Sequence, residues 1–393
     1  MSIQTHRNDT IRIHNPKALG ADHVPAQRIP IGVSGDYKPC IARLPGGELL
    51  LVAFHAHMLE GTAQVDGQAL QRMREDIILF RSQDGGVTWS EPQTLDLPGR
   101  EPYFTVLSDG TLLITVHHLV QDIRNEDGYV LTYVHRSTDG GKTWETTRFG
   151  GEDLPGWQPD WSICSSRNVL ELEDGGLILG VGTKAGHDYL FRSHDKGATW
   201  QPAEPCQFEL FETEAARKKL DFTLWGETVF QEAKNGDLLA LNRVGPKDFP
   251  PLPGMDTANG HWDHHDRLVL YRSKDGGKTW SFSEIGSTYG EMYPAILKLR
   301  DGRLLLTFTV RDLHPPFGVR AVLGKETPDG FEFDFEHDRL MLDTKTPMDK
   351  DSGGGFGCTV QLDDGTLITS YSYMGEDDEL HCEVVRWKLP TIQ

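Results

Sequence analysis

Short apolar runs recur along the chain at a nearly constant spacing. Each run follows a glycine and one variable residue, as where Gly47 and Glu48 precede the apolar run Leu49–Val52. Runs of this length, bounded by turn-forming residues, are typical of β-strands. The pattern therefore predicts a strand, a glycine turn and a second strand, six times over. The six glycines lie 61 to 66 residues apart and are Gly47, Gly110, Gly175, Gly236, Gly302 and Gly365.

A second repeat predicts another turn later in each unit. The string RSQDGGVTW at Arg81–Trp89 recurs in similar form at Arg136–Trp144, Arg192–Trp200 and Arg272–Trp280, with a degenerate copy at Thr327–Phe331. Ser and Asp hydrogen-bond the local backbone, Gly-Gly permits positive φ, and Thr-Trp suits the start of a strand. Internal repetition at this period is typical of propellers and other repeat folds.

The two repeats together predict an all-β fold, a six-bladed β-propeller that forms one domain over residues 1–393. Radial repetition of blades protects the edges of the sheets. We expect a segment within residues 8–15, Thr10–His14, to close the ring as the outer strand of the last blade, beside Cys382–Trp387. The predicted blades span residues 32–95, 96–150, 160–205, 222–285, 290–345 and 352–390.

Net charge and the length of the apolar runs exclude some classes of binding partner. The chain has 393 residues and a formal net charge of −20, which argues against nucleic acid or an anionic membrane as a partner. No stretch approaches the roughly 20 apolar residues of a membrane-spanning helix. The start of the chain has no apolar run of the signal-peptide type, so we expect a cytoplasmic protein, with secretion as the alternative if a signal was removed. The five scattered cysteines predict buried free thiols, and we expect no cofactor.

The repeated Ser-x-Asp-x-Gly-x-Thr-Trp string resembles the Asp box, or BNR repeat, of the sialidase (neuraminidase) superfamily. The resemblance covers essentially the whole chain and implies the propeller fold. It also implies an exo-acting glycoside hydrolase whose substrate is an oligosaccharide or glycoside with a terminal acidic sugar: a sialic, other ulosonic or uronic acid. Sialidases hold the substrate carboxylate with three arginines, use a tyrosine assisted by a glutamate as nucleophile, and use an aspartate as acid/base.

The resemblance places several of these residues in this sequence. It implies that Glu227 is the assisting glutamate and Arg243 the second arginine. Arg320 is the preferred third arginine and Arg311 the second candidate. Lys38 stands at the position of the first arginine, where a lysine binds an anion as a point charge without a bidentate fork.

The sequence departs from the family pattern in the sixth blade. Phe356 occupies the position of the nucleophilic tyrosine, so Tyr371 or Tyr373 would have to replace it. The acid/base carboxylate would come from the long first-blade insertion. Asp66 is closest to the family position, and Glu60 and Asp76 are the alternatives.

Other polar residues lie at blade entrances and strand ends. Arg167 enters the third blade where other blades present Lys38, Glu101 and Glu227, and Tyr293 at the fifth-blade entrance is a candidate for stacking on a sugar. Histidines at strand ends suit a general base, a carboxylate clamp or a metal site, although their spacing predicts no metal. We select His57 for substrate binding and His118 for catalysis. The remaining polar residues of this kind are His55, His117, Lys184, His187 and the loop His261–Asp266.

Three functions remain open from the sequence. The first is the acidic-sugar glycoside hydrolase, with Lys38, Arg243 and Arg320 as the carboxylate clamp. The second is a polysaccharide lyase in which a His and a Tyr abstract the proton α to a uronate carboxylate. The third is a propeller that binds glycan or protein without catalysis. The sequence contains no pattern that indicates an oligomeric state.

Overall fold

The computed structural model describes residues 9–65, 68–159, 161–183, 185–208, 225–245, 266–311, 316–348, 350 and 354–390. Within these residues the regular structure is almost entirely β-strand, and the helical exception is a 3-10 turn at Gly151–Asp153. No helix in this part of the chain is long and apolar enough to cross a lipid bilayer. The all-β prediction is confirmed.

The strands form six blades, preceded by a hairpin of β1 (Thr10–His14) and β2 (His23–Ile31). The first blade contains β3 (Asp36–Arg43), β4 (Leu49–Val65), β5 (Gln68–Ser82) and β6 (Gln93–Leu95). The second contains β7 (Arg100–Val106), β8 (Leu112–His118), β9 (Leu131–Ser137) and β10 (Glu145–Phe149). The third contains β11 (Ile163–Ser165), β12 (Leu170–Glu171), β13 (Leu177–Thr183), β14 (Asp188–Ser193) and β15 (Glu204–Pro205).

The fourth blade has an additional outer strand, β16 (Gln207–Phe208), which runs parallel to β20. Its other strands are β17 (Val229–Glu232), β18 (Leu238–Val244), β19 (Arg267–Ser273) and β20 (Thr279–Glu284). The fifth blade contains β21 (Glu291–Lys298), β22 (Arg303–Val310), β23 (Gly318–Thr327), β24 (Gly330–Phe333) and β25 (Arg339–Met341). The sixth contains β26 (Cys358–Gln361), β27 (Leu367–Met374) and β28 (Leu380–Trp387).

The hairpin of β1 and β2 joins the fifth and sixth blades into one ten-stranded sheet. The outer strand of the last blade is β2, whose residues Ala26–Ile31 pair with Cys382–Trp387. This corrects the expectation for Thr10–His14, which pairs instead with β25 and with β2. The five residues of β1 are too few to cover the six paired residues of β28, whereas the nine residues of β2 are sufficient.

Both sequence repeats form the predicted turns. At each of the six repeat glycines φ lies between 83° and 91°, a conformation that favours glycine. In the first Asp box the Asp84 carboxylate accepts hydrogen bonds from the Thr88 amide at 2.9 Å and the Thr88 hydroxyl at 2.6 Å. The Ser82 hydroxyl accepts the Gly86 amide at 2.9 Å. The boxes are therefore self-contained turns.

The arginine that opens each Asp box also ties its blade to the next one. Arg81 Nη2 donates to the carbonyls of Gly140 and Gly141 at 3.0 and 3.1 Å, which lie in the Asp box of the second blade. These contacts link successive blades at the end of the propeller where the boxes lie. The corresponding pairs are Arg136 with Lys196, Arg192 with Gly276, Arg272 with Asp329, and Arg386 with Gly85.

The apolar core lies between neighbouring blades. Leu239 and Leu241 of β18, for example, pack in one cluster with Leu304, Leu306 and Phe308 of β22, and all five are at most 1% exposed. Side chains on one face of a strand repeat every second residue, so each inner strand contributes to the interface with the adjacent blade. The alternate residues Leu238 and Ala240 pack on the opposite face of the blade, in a cluster with Ile178 of the third blade.

Candidate active site

Six equivalent blade-entrance residues meet near the axis of the propeller, and we call them the axial ring. Four of them have left-handed backbone conformations with φ between 49° and 68°. Three of those four lie at register shifts in the inner strand, at Tyr37/Cys40, Arg100/Tyr103 and Met292/Ala295. A β-bulge redirects a side chain, and a non-glycine residue in this conformation costs about 1–3 kcal/mol. The axial ring consists of Lys38, Glu101, Arg167, Glu227, Tyr293 and Phe356.

Opposite charges alternate around the first four positions of the ring. Lys38 Nζ lies 2.5 Å from Glu101 Oε1, and Glu101 Oε2 lies 2.8 Å from Arg167 Nη2. Arg167 also lies 3.3 Å from Glu227 Oε1, while Glu227 Oε2 accepts a hydrogen bond from Arg243 Nη1 at 2.7 Å. The chain of contacts therefore runs from the first blade to the fourth. Glu227 is shared by Arg167 and Arg243, and Glu101 is shared by Lys38 and Arg167, with Arg100 Nε also 3.8 Å from Glu101 Oε1.

Two aromatic residues complete the ring and lie against the same cations. The Tyr293 and Phe356 rings are 5.3 Å apart between centroids. Lys38 Nζ lies 4.6 Å from the Tyr293 ring, and Arg167 Cζ lies 4.3 Å from the Phe356 ring. Arg243 Cζ is 5.4 Å from the Tyr293 ring. These are cation–π distances, so the aromatic faces stabilise positive charge at this end of the channel.

Two arginines lie beside Tyr293 at the ends of neighbouring inner strands. Arg243, near the end of β18, binds Glu227 and also contacts the carboxylate of Asp266 through Nε. Arg311 follows β22 and is half-buried, and its Nη1 donates to the Tyr293 hydroxyl at 3.2 Å. The predicted residues Arg243, Arg311 and Tyr293 are therefore brought together.

Burial and charge together set the protonation of the ring. Burial lowers the pKa of Lys38 to about 8, and the adjacent Glu101 carboxylate opposes that shift. Burial alone would raise the pKa of Glu101, but Lys38 and Arg167 outweigh it and hold that pKa well below its usual range. Burial, followed by the charge of Arg167, lowers the pKa of His117 to about 4. At neutral pH the ring contains charged pairs next to a neutral imidazole.

Arg320 does not join this group. Its guanidinium donates to the carbonyls of Val319 at 2.8 Å and Asp343 at 3.2 Å, and it also bonds the carbonyls of Pro316 and Phe317. The side chain is 1% exposed, and burial lowers its pKa to about 10. In this position Arg320 fixes the loop before β23, and Arg311 is the fifth-blade arginine beside Tyr293.

Tyr371 likewise lies in the interior of the sixth blade. It is fully buried, its hydroxyl donates to Glu383 Oε1 at 2.6 Å, and it accepts a hydrogen bond from Arg28 Nη1 at 2.6 Å. Glu383 is its cross-strand partner on β28, and Arg28 is on β2. These contacts connect β2, β27 and β28, so Tyr371 is part of the packing between these three strands.

The predicted histidines divide between separate environments. His57 is exposed and lies 3.3 Å from Asp76, and its ring is 4.7 Å from that of His55. His118 is fully buried, 3.8 Å from Asp122, with Tyr133 packed against it. Within the described ranges, no group of three or more His, Cys, Asp or Glu side chains could hold a metal ion.

Some predicted residues lie outside the described ranges. Asp66 is one of them, and so are Lys184 and His261–His265. Of the alternative acid/base carboxylates, Glu60 is exposed. Asp76 accepts a hydrogen bond from Arg74 Nε at 2.9 Å, next to His57.

The sequence prediction omitted Glu101 and Asp266 from the site. Glu101 bridges Lys38 and Arg167, and Asp266 contacts Arg243. A signal for Glu101 was present, because successive members of the axial ring are 60 to 66 residues apart, like the turn glycines. Asp266 is the last residue of the loop His261–Asp266, and the sequence indicated a functional role for that loop only through its histidines.

Comparison with known proteins identifies relatives of this fold. A family model described as a BNR repeat-like domain matches residues 33–306, which is more than half of the chain. A sialidase from Bacteroides fragilis (strain YCH46) is 24% identical over 216 residues, covering 52% of this chain and 33% of the relative. A sialidase from Clostridium perfringens is 28% identical over 143 residues, covering 32% and 34%. The chain thus spans about one third of the length of both relatives.

Solved structures show the same fold. A protein of unknown function from Dyadobacter fermentans has a TM-score of 0.65 and 22% identity, covering 93% of this chain and 99% of that one. A Trypanosoma rangeli sialidase in complex with the inhibitor DANA has a TM-score of 0.56 and 14% identity, covering 92% and 60%. A Fusarium graminearum GH93 α-L-arabinofuranosidase in complex with arabinobiose has a TM-score of 0.57 and 13% identity, covering 96% and 98%. The predicted propeller fold is confirmed.

Proposed function

The chain belongs to the BNR repeat-like domain family and is sialidase-like, and on that premise we propose that it hydrolyses glycosides with a terminal acidic sugar. The sugar is a sialic acid, another ulosonic acid or a uronic acid. The substrate binds at the axial ring through its carboxylate. The protein as a whole is acidic, so a local cluster of cations is the feature that supports an anionic ligand.

The arrangement of charge around Tyr293 carries this proposal. Lys38, Arg167 and Arg243 lie within 6 Å of its ring, and Arg311 donates to its hydroxyl. Within the described residues, the carboxylates that contact these cations are those of Glu101, Glu227 and Asp266. A chain with a net charge of −20 concentrates positive charge here, which favours a carboxylate over a neutral sugar.

Arg243 and Arg311 are the proposed carboxylate ligands. Lys38 and Arg167 are 4% and 3% exposed and are shared with Glu101, so they act as fixed background charge. Arg311 is half-buried at the end of β22, where a ligand can reach its guanidinium. Guanidinium groups bind carboxylates through two parallel, charge-assisted hydrogen bonds.

Tyr293 is the proposed nucleophile in place of Phe356. The two residues hold equivalent positions in neighbouring blades, and their rings are in contact, so either position reaches the axis. A hydroxyl nucleophile of this kind is activated by an adjacent general base that takes its proton. Glu227 is the proposed partner carboxylate, because it is paired with the same Arg243 that stacks on Tyr293.

In this scheme the Tyr293 oxygen attacks the anomeric carbon and its proton passes to the Glu227 carboxylate while the glycosidic C–O bond breaks. The leaving oxygen takes a proton from a carboxylic acid of the first-blade insertion, for which we retain Asp66. Water then cleaves the tyrosyl–sugar bond, the first-blade carboxylate accepts the proton of the water, and Glu227 returns its proton to the Tyr293 oxygen. Enzymes of this type are an exception among glycosidases, most of which use two carboxylates.

A panel of aryl glycosides tests the substrate class. The panel contains α-sialoside, β-glucuronide and α-galacturonide, with α-L-arabinofuranoside as the neutral comparison. We expect release of the aryl group from at least one acidic glycoside and a lower kcat/KM for the arabinofuranoside. Turnover of the neutral glycoside alone would contradict an acidic substrate, and binding without turnover across the panel would favour a glycan-binding propeller.

Matched variants test the assigned roles. Tyr293→Phe keeps the ring packing but removes the nucleophile, and Glu227→Gln keeps the size but removes the charge. We expect each to lower kcat by roughly 100-fold or more. Tyr371→Phe is the control, because its hydroxyl bonds inside the sixth blade, and it should leave kcat within a factor of about two. Loss of activity in Tyr371→Phe with full activity in Tyr293→Phe would reverse the assignment.

The lyase alternative receives less support. It requires a histidine base that reaches the substrate, but His118 is fully buried against Tyr133 and Asp122. His117 lies next to the ring, and burial beside Arg167 lowers its pKa to about 4, which makes it a weak base. An unsaturated product that absorbs in the ultraviolet, formed from a uronate polymer, would restore that alternative.

A further inference from the structure

Arg100 is a further cation at the edge of the axial ring, outside the pair Arg243 and Arg311 that is proposed to hold the sugar carboxylate. It is the first residue of β7 and directly precedes the ring member Glu101, where the register of the inner strand shifts. Its Nε is buried, but the side chain as a whole is 22% exposed. The terminal nitrogens are therefore the part of Arg100 that a ligand at the ring can contact.

Contacts with the first blade hold the Arg100 side chain from behind. Its Nε lies 3.4 Å from Glu75 Oε1 on β5 and 3.8 Å from Glu101 Oε1. Its Cζ lies 5.0 Å from the centroid of the Phe54 ring on β4, which is a cation–π distance. The guanidinium is thus fixed against the wall between the first and second blades before any ligand arrives.

The Arg100 guanidinium has unused hydrogen-bond donors. An arginine side chain offers five N–H donors. Within the described ranges Arg100 makes no side-chain hydrogen bond, and its approach to Glu75 is an ion pair without hydrogen-bond geometry. In contrast, Arg167 and Arg243 donate to ring carboxylates at 2.8 and 2.7 Å. A buried donor without an acceptor costs free energy, so a ligand oxygen at Arg100 would be stabilising.

The carboxylates beside Arg100 compensate its charge only in part. Glu101 is already shared by Lys38 at 2.5 Å and by Arg167 at 2.8 Å. Glu75 is fully buried, neither of its oxygens accepts a hydrogen bond within the described residues, and burial raises its pKa. A carboxyl group with a raised pKa is protonated more readily and then carries no charge. The position therefore favours an additional anionic acceptor.

Arg100 and the proposed carboxylate ligands belong to different walls of the site. Arg243 and Arg311 come from the fourth and fifth blades, and Arg311 Nη1 donates to the Tyr293 hydroxyl. In a ring of six blades the second blade is opposite the fifth. An anionic group bound by Arg100 therefore belongs to another part of the ligand than the carboxylate bound by Arg243 and Arg311.

We propose that Arg100 binds a second anionic group, a carboxylate or a sulfate, on the aglycone of the substrate. The first blade is the proposed source of the proton for the leaving oxygen, so the aglycone lies on the side where Arg100 is held. The substrate is then a terminal acidic sugar linked to a second acidic unit. A guanidinium fork matches both kinds of anion. Because it describes the other half of the same substrate, this binding site rests on the proposed hydrolase function.

Three matched glycosides test the second anionic group. They share the acidic sugar that the wild type hydrolyses fastest in the aryl glycoside panel, and their nitrophenyl ring carries no substituent, a carboxylate or a sulfonate. The ratio of kcat/KM for a charged to the uncharged aglycone is measured in the wild type and in Arg100→Gln. The effect of a substituent on the leaving group is the same in both proteins. We expect Arg100→Gln to lower the ratio at least roughly 10-fold for one of the two anions.

Two further variants separate anion binding from damage to the fold. Arg100→Gln leaves Glu75 buried without its cation, so Glu75→Gln/Arg100→Gln repeats the measurement without that charge and should show the same loss. Arg148→Gln is the matched control, because this second-blade guanidinium is already paired with Asp127 and Glu152. It should keep the ratio of the wild type.

The outcomes distinguish this site from the hydrolase function. Equal ratios in the wild type and in both Arg100 variants would overturn the role of Arg100 and leave the hydrolase function intact. If the wild type hydrolyses no acidic glycoside, the hydrolase function fails. The ratio is then taken from the dissociation constants of the same three compounds, made with the acidic sugar that binds most tightly. A ratio unaffected by Arg100→Gln in that binding assay would also overturn the anion site.

Discussion

Replacing Glu101 by glutamine tests the electrostatics of the axial ring most directly. Glu101 is the shared partner of Lys38 at 2.5 Å and of Arg167 at 2.8 Å, and its side chain is only 12% exposed. Removing one partner of a buried ion pair costs about 3–5 kcal/mol, because the remaining charge is left without compensation. The glutamine keeps the size of the side chain, so the loss reports charge rather than packing.

Lys38 and Arg167 will respond differently to that loss. The pKa of Lys38 is already lowered to about 8, mainly by burial, and without Glu101 it falls further. If it falls below 7, Lys38 releases its proton at pH 7, and this limits its share of the cost to about 1.4 kcal/mol, one pKa unit. Arg167 cannot lose its proton and keeps only Glu227, at 3.3 Å. We therefore expect a total loss of about 3 kcal/mol at pH 7.

The loss must shrink as the pH rises. Lys38 binds fewer protons in the folded than in the unfolded state between its folded pKa and its ordinary value of 10.5, so stability rises with pH in that window. In the wild type the rise begins near pH 8, whereas in Glu101→Gln it begins lower. At pH 9 the variant should therefore recover about 1.4 kcal/mol relative to the wild type.

Urea unfolding followed by tryptophan fluorescence at pH 7 and pH 9 measures both quantities. The double variant Lys38→Met/Glu101→Gln is the control, because it removes the lysine and should show no recovery at pH 9. A loss below about 1 kcal/mol, or an equal loss at the two pH values, would refute the assignment of Lys38 and Glu101 as a buried charged pair.

Two further predictions concern the Asp boxes. Arg81→Ala removes both hydrogen bonds to the second blade and should lower the free energy of unfolding by about 1–2 kcal/mol. The control Lys325→Ala, which loses an exposed pair with Glu332, should lose less than about 0.5 kcal/mol in the same urea assay. Hydrogen bonds from Thr88 lower the pKa of Asp84 to about 2, so its stabilisation is present above pH 4 and is lost as the pH falls through 2. Asp84→Asn should therefore lower the thermal midpoint at pH 7 and show a smaller further decrease between pH 4 and pH 2.

The fold could be predicted from the sequence because the chain contains two kinds of repeat. Glycine turns and Asp boxes depend on local chemistry, so their spacing was enough to predict six blades. The same spacing predicted the entrance positions of Lys38, Arg167 and Glu227, because equivalent residues of a closed ring all approach its axis. The contact between Arg243 and Glu227 follows from adjacent strands of one blade.

The predicted site residues that lie away from the axial ring are those whose position depends on which face of a strand they occupy. Neighbouring residues of a strand point to opposite faces, so a shift of one position exchanges an exposed site for the interior. On β8, His117 lies near Arg167 and Glu101, whereas the selected His118 is buried on the other side. Tyr371 and Arg320 were chosen by residue type, and their partners Glu383 and the loop carbonyls come from contacts that sequence spacing does not reveal.

The pairing of β2 with β28 can form only after nearly the whole chain has been synthesised. The two strands are separated by about 350 residues, and ribosomes add roughly 5–20 residues per second. Strand β2 must therefore wait roughly 20–70 s for its partner β28, paired only with β1, while the intervening blades are made. During that interval its free edge is open to pairing with another chain. Nascent chains that crowd on one messenger therefore risk exchanging this strand, and slower initiation should favour correct closure of the ring.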